Sequence, residues 1–170
     1  MNVSFDAETL GSLINAIREN PEMGKTVWKA ETHWNTGFQS EALIPRQGGG
    51  HTVPMDEPKQ VGGSDTAPNM VEMVLGAYGC CLITGYVAQA GFRGLDLQGV
   101  DIDVVGDLDL RGFFGLADVP AGYSEVRAKV NLNAPGASPE QIEELHQAVV
   151  KTSPVGNIIS APVKLKTELV

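Results

Sequence analysis

No charged residue occurs between Met73 and Phe92 in this chain of 170 residues, and the only two cysteines, Cys80 and Cys81, stand side by side within that stretch. A membrane span needs about 20 mainly apolar residues, so length alone admits one. Thr84, Tyr86, Gln89 and several glycines interrupt the stretch, however, and Glu72 opens it. The preferred reading is a long helix over residues 69–90 at the centre of a soluble protein, since a helix apolar nearly all round belongs inside a structure. A thiol placed there is either a small core hydrophobe or a nucleophile shielded from bulk water.

Gly76, Gly79 and Gly85 each cost such a helix about 1 kcal/mol relative to Ala, so close packing should offset them. Ala77, Cys81 and Gly85 fall at i, i+4 and i+8 and form a stripe of small residues. Another helix can approach closely there: either the later helix over residues 139–152 or the same helix of a second copy. Spacing alone leaves Cys81 open between packing and reactivity and leans toward packing. A disulfide between Cys80 and Cys81 is disfavoured, because helical neighbours point about 100° apart.

The rest of the composition bounds the class. Hydrophobic residues make up 42% and charged residues 19%, as in an ordinary soluble globular protein. The length suits a single α+β domain over residues 1–170. A net charge of −9 argues against nucleic acid as a partner and against anionic membrane surfaces. No basic residue followed by an apolar run opens the chain, and the cysteines form no disulfide framework. The expected location is the reducing cytoplasm.

Local patterns predict the elements. Leu10, Leu13, Ile14 and Ile17 mark a helix over residues 7–20, with Asp6 as N-cap and Pro21 as its stop. Residues 26–34 and 38–44 alternate as a hairpin about Asn35-Thr36-Gly37. Residues 45–66, rich in Gly, Pro and Asp, read as a long loop. Residues 97–110 and 122–133 alternate as strands, joined by a linker over 111–121. Ser138-Pro139-Glu140-Gln141 is a capping box with Pro at the first helical position. Ile142, Leu145 and Val149 form that helix's buried face. Pro154 limits it, residues 156–160 add a short turn, and residues 162–169 alternate as a closing strand. The expected order is α-ββ-α-ββ-α-β.

Other candidate sites read as bland. His33 and His146 fall on polar faces and are expected in solvent, as is His51 in its Gly-rich loop, although His51 could also line a pocket. Asp101, Asp103, Asp107 and Asp109 form a solvated strand face without the spacing of a calcium loop. No zinc spacing occurs, so no metal is expected. Gly48-Gly49-Gly50 lacks the Gly-Lys-Ser/Thr ending and following helix of a phosphate loop.

One set of words carries more. Gly62-Gly63-Ser64-Asp65-Thr66-Ala67-Pro68, Val71-Glu72-Met73-Val74-Leu75 and Gly79-Cys80-Cys81-Leu82 follow one another, with Cys81 nine residues after Glu72. Upstream stand Gly50-His51 and Asp56-Glu57-Pro58. This stretch resembles the OsmC/Ohr superfamily of osmotically inducible and organic-hydroperoxide-resistance proteins. The resemblance implies an α+β fold in an intertwined homodimer, with central helices wrapped by antiparallel sheets. It also implies thiol-dependent reduction of organic hydroperoxides, with Cys81 rather than Cys80 in the reactive position.

The chain departs from the family pattern at several places. Ser153 stands before Pro154-Val155, where the family usually has its second cysteine. Asn35-Thr36-Gly37 stands where an arginine is common, which leaves Arg46 as the nearest alternative cation. Val71 takes the place of the acidic partner of that arginine, Glu72 follows the pattern of the family's other branch, and Met70 replaces a common proline. The expected catalytic set is Cys81, Glu72 and Arg46, with Cys80, His51, Tyr78 and Ser153 as possible pocket residues.

Thiol peroxidase chemistry needs a thiolate and then a reductant for the sulfenic acid. Ser153 cannot form a disulfide, so an external thiol or dithiol is expected, with no bound cofactor. Nine residues of straight helix turn through about 900°, so Glu72 and Cys81 should face opposite ways, and Glu72 either orients Arg46 or caps the helix. The competing reading is a non-catalytic member of the same fold that binds an apolar small molecule in the dimer groove.

Overall fold

The computed structural model describes residues 5–169. The chain divides into two compact units, one of Asp6–Val74 and one of residues 75–169 together with Phe5. Helix α2 runs from the first into the second.

The first unit opens with α1 (Ala7–Glu19), capped as expected: the Asp6 side chain accepts from the Thr9 amide at 2.8 Å. A 3-10 turn, Pro21–Gly24, follows. Strands β1 (Glu31–Thr36), β2 (Gln39–Arg46) and β3 (Gly49–Met55) form an antiparallel sheet with β2 in the middle. Ala42 of β2, buried, lies opposite Thr32 on one side and Val53 on the other.

Three expectations change here. Residues 26–30 precede the first strand. Asn35 and Thr36 still belong to β1, so the turn is tighter, with Gly37 at φ 54°. The stretch read as a loop over 45–66 contains all of β3 and a 3-10 turn, Lys59–Val61. Glycines and Pro54 hide β3 from pattern reading. An edge strand tolerates Pro, because its outer N–H groups serve no ladder.

The second unit contains most of α2 (Met70–Phe92), then β4 (Gly99–Leu108), a single turn of helix α3 (Leu110–Phe113), β5 (Tyr123–Asn133), α4 (Pro139–Thr152) and α5 (Pro154–Ser160). Strands β4 and β5 form a two-stranded antiparallel ribbon, with Ile102 opposite Val130. Helix α4 has its capping box: Ser138 Oγ accepts from the Gln141 amide, and the Gln141 side chain accepts from the Ser138 amide at 2.8 Å. The linker over 111–121 gains α3. The closing strand over 162–169 is not formed: these residues pair with no strand among the described residues, and Val163, Leu165 and Leu169 are exposed. Alternation specifies two faces but no partner for the ladder.

The core of this unit joins Leu82, Tyr86 and Ala90 of α2 to Leu97 and to Leu145 and Val149 of α4. Val100, Ile102, Ala128, Val130 and Leu132 of the ribbon pack against it. The small-residue stripe finds a partner within the chain, because a Cβ on Gly85 would lie 2.8 Å from Val149 Cγ1. Only one face of α2 (Gly79, Leu82, Tyr86 and Ala90) is buried. By length and composition α2 would suffice to cross a membrane, with a mean hydropathy of 1.5.

Candidate functional site

Cys81 projects from α2, half-buried, one residue before the buried Leu82. Its Sγ lies 3.3 Å from Oγ of Ser153, a residue 72 positions later in the chain. Ser153 is 5% exposed and is the N-cap of α5, with Pro154 at the first helical position. Its Oγ accepts from the Gly156 amide at 3.1 Å. A hydroxyl between strand-like φ/ψ and a new helix is a favoured cap, so the local sequence Ser153-Pro154-Val155-Gly156 is what orients the oxygen next to the sulfur.

Gly156 is also where Tyr78 arrives. A Cβ on Gly156 would meet Tyr78 Cε2 at 3.0 Å and Ser153 Oγ at 3.1 Å. Tyr78, one helical turn before Cys81, lines two depressions beside α5. One, of about 260 Å³, is bounded by Tyr123, Val126 and Ile159. The other, of about 310 Å³, is bounded by Val150, Lys151 and Asn157. Lys151, two residues before Ser153 in the last turn of α4, is not among the residues expected from the sequence.

The other expected residues have their own local surroundings. Cys80 is exposed, and its carbonyl accepts from the Thr84 hydroxyl at 3.0 Å. In the first unit, Arg46 ends β2 with its guanidinium 5.5 Å from the Trp28 ring centroid, and it donates to its neighbour's carbonyl, Pro45 O, at 3.2 Å. His51 is not in a loop but on β3, opposite Ile44, and is exposed. Glu72 forms a reciprocal cap with Asn69: its carboxylate accepts from the Asn69 amide at 2.9 Å, and Asn69 Oδ1 accepts from the Glu72 amide at 2.8 Å. Of the two roles foreseen for Glu72, the geometry gives the cap and no bond to Arg46. Glu72 stabilises the start of α2 and satisfies a donor that the helix leaves open.

The Gly62–Pro68 words have a structural cause within the same unit. Asp56, 1% exposed, gathers the loop around its carboxylate. It accepts from the amides of Glu57 at 2.8 Å, Ser64 at 3.2 Å and Thr66 at 3.2 Å, and from the Thr66 hydroxyl at 2.9 Å. Burial pushes its pKa up, but the Thr66 hydroxyl and the three amides outweigh that and hold it below the ordinary carboxylate value. Gly63 passes so close that a Cβ there would lie 1.8 Å from Glu57 O, and Asp65 adopts a left-handed φ of 60°. The loop thereby delivers Asn69 to the first turn of α2.

His146 corrects a further expectation. It is half-buried rather than solvated, and its Nδ1 is hydrogen-bonded to the hydroxyl of the fully buried Tyr86. Among the described residues, no group of three or more His, Cys, Asp or Glu side chains is placed to hold a metal.

A mixed antiparallel fold with a half-buried cysteine on its long apolar helix defines the class of protein, and known proteins narrow it further. The model of the OsmC-like protein family matches residues 62–168, more than half of the chain. The chain belongs to that family. No curated protein sequence matches it. Among solved structures it is similar to an OsmC-like protein from Mycoplasma pneumoniae, at 15% identity and a TM-score of 0.66 over 79% of this chain and 88% of that one. It is also similar to an organic hydroperoxide resistance protein OsmC from Legionella pneumophila, at 16% identity and a TM-score of 0.58 over 80% of this chain and 92% of that one. The organic hydroperoxide resistance protein OhrB of Bacillus subtilis matches at 14% identity and a TM-score of 0.51, over 79% of this chain and 93% of that one. At such identities these likenesses concern the fold.

Proposed function

We propose that this protein reduces organic hydroperoxides through Cys81 alone, with an external thiol as reductant and a homodimer as the working form. Membership of the OsmC-like family and likeness to proteins named for organic hydroperoxide resistance support a role in peroxide stress. The observation that carries the finer reading is the half-buried Cys81 sulfur beside a buried hydroxyl, at the place where a two-cysteine cycle would hold a second thiol.

The cycle balances as follows. A lone pair of the Cys81 thiolate attacks the outer oxygen of ROOH. The O–O bond breaks, OH joins sulfur as Cys–SOH, and RO⁻ leaves with the bonding pair and takes a proton from water. Sulfur loses two electrons and the peroxide gains them. An external thiol condenses with Cys–SOH, forming a mixed disulfide and water. A second thiol then displaces Cys81 as its thiolate and leaves as the external disulfide. Cys80 and Cys81 are the only cysteines, and Cys80 points from an adjacent helical position, so no internal disulfide is part of the cycle.

The homodimer is supported by the apolar surface that α2 leaves uncovered within one chain, including Met70, Val71, Val74 and Phe92. Light scattering should give twice the chain mass at micromolar concentration. The activity test is hydroperoxide consumption with a dithiol and with a monothiol, for the unmodified protein and Cys81→Ser. Consumption lost with Cys81→Ser supports the proposal. Equal rates with every thiol would overturn it in favour of an apolar-ligand binder.

A further inference from the structure

We infer that Ser153 is a positioning residue whose hydroxyl donates a hydrogen bond to the Cys81 sulfur. The residue that stands where a resolving thiol is expected therefore prepares the sulfur for attack. A serine hydroxyl has one hydrogen and two lone pairs. One lone pair of Ser153 Oγ is engaged by the Gly156 amide at 3.1 Å. Among the described residues, the remaining polar neighbour is Cys81 Sγ, at 3.3 Å. With the side chain 5% exposed, the hydrogen has little access to water, and an unpaired buried donor is costly. The hydrogen is therefore directed at sulfur.

This bond differs in strength between the two states of the thiol. A neutral sulfur is a weak acceptor, whereas a thiolate accepts a charge-assisted hydrogen bond. The donor thus favours the ionised form that peroxide attack requires. The oxygen is also held in place before the reaction, because the cap on Gly156 and Pro154 at the first helical position fix the Ser153 backbone. Among the described residues of its own unit no Lys or Arg is bonded to Cys81, so the thiolate's fixed polar partner within that unit is a neutral hydroxyl. Unlike a second thiol, that hydroxyl cannot condense with Cys–SOH, and the intermediate is left to the external thiol.

The catalytic part of this inference rests on the proposed peroxidase reading, but its test does not need turnover. The experiment measures the rate of iodoacetamide alkylation of Cys81 against pH, by peptide mass spectrometry, in a Cys80→Ser background. Ser153→Ala should move the midpoint of the profile upward by about one pH unit, the size expected for losing a hydrogen bond to a charged group. Ser153→Thr, which keeps both the cap and the donor, should restore the parent midpoint. Should Ser153→Ala fail to fold, Ser153→Gly, the mildest cap loss, carries the same expectation. An unmoved or lowered midpoint in the Ala or Gly variant overturns the inference, as does a Thr variant that behaves like Ala. A shifted midpoint in a protein that consumes no hydroperoxide would uphold the donor and remove the peroxidase.

Discussion

The hydroxyl of Tyr86 on α2 is hydrogen-bonded to Nδ1 of His146 on α4, and the tyrosine that makes this bond is fully buried. Burial, with the nearby Tyr78 and Glu143 adding to it, pushes the Tyr86 phenol up to about 12. The phenol therefore keeps its proton across the neutral range. Tyr86→Phe removes the hydroxyl and leaves Nδ1 without its partner, at a cost of about 1–3 kcal/mol in urea unfolding.

The same pair predicts a pH dependence. The folded phenol titrates near 12 and an ordinary one near 10.0, so between those values the native state binds the extra proton. Stability from Tyr86 is therefore complete below pH 10 and declines as pH rises toward 12. Urea midpoints recorded across that window should fall more steeply for the unmodified protein than for Tyr86→Phe. Parallel lines would contradict the assignment.

Asp56 supplies the opposite sign. Its pKa lies below the ordinary value of 3.8, so its contribution is present above that pH and is lost as pH falls through the folded value. Amide-exchange protection factors at Ser64 and Thr66, two of its three amide donors, should fall on acidification before those of the ribbon of β4 and β5. Asp56→Asn replaces an acceptor oxygen by an NH₂ that faces N–H donors. It should lower the protection of the same amides at neutral pH and remove its acid response.

How much of this could be read beforehand depends on whether the cause is local. Helices α1 and α4 announce themselves through 3.6-residue spacing and caps and α2 through its charge-free length, and α4 falls on residues 139–152 as its capping box predicts. Strand β3 escapes because edge strands tolerate the glycine and proline that usually signal loops. The alternation in residues 162–169 is real in sequence but names no partner strand. The burial of His146 depends on Tyr86, sixty positions away, and spacing within α4 carries no trace of that. The neighbourhood of Cys81 and Ser153 is likewise non-local: family resemblance pointed to Ser153, and periodicity did not.

The seam between α2 and α4 yields a packing test. A Cβ at Gly85 would lie 2.8 Å from Val149 Cγ1, and a valine side chain in a helix is stiff about χ1. Gly85→Ala gains up to about 1 kcal/mol in helix propensity, but overpacking at a close seam costs about 1–3 kcal/mol. A net loss of stability is expected, larger for Gly85→Leu. Adding Val149→Ala should relieve the Gly85→Ala clash, so the double variant should be more stable than the sum of the two single losses predicts. Strict additivity in thermal or urea unfolding would mean that the two helices separate freely at this point.

Replacing Ser153 by Cys should convert the one-cysteine cycle into a two-cysteine cycle. The Ser153 oxygen is already 3.3 Å from Cys81 Sγ, and a cysteine there places its sulfur in nearly the same position. After one equivalent of hydroperoxide forms Cys81–SOH, the new thiol attacks it, forming a disulfide and releasing water. In a Cys80→Ser background, intact-mass spectrometry should show the loss of two hydrogens, with no adduct when a monothiol is added afterwards in small excess. The Ser153 parent treated in the same way should instead carry the monothiol as a mixed disulfide. Turnover with a dithiol should rise, because intramolecular resolution replaces a bimolecular step. Turnover without peroxide-dependent disulfide formation would show that the two positions move apart when sulfur is oxidised, and the close approach of Cys81 and Ser153 would then belong to the resting state alone.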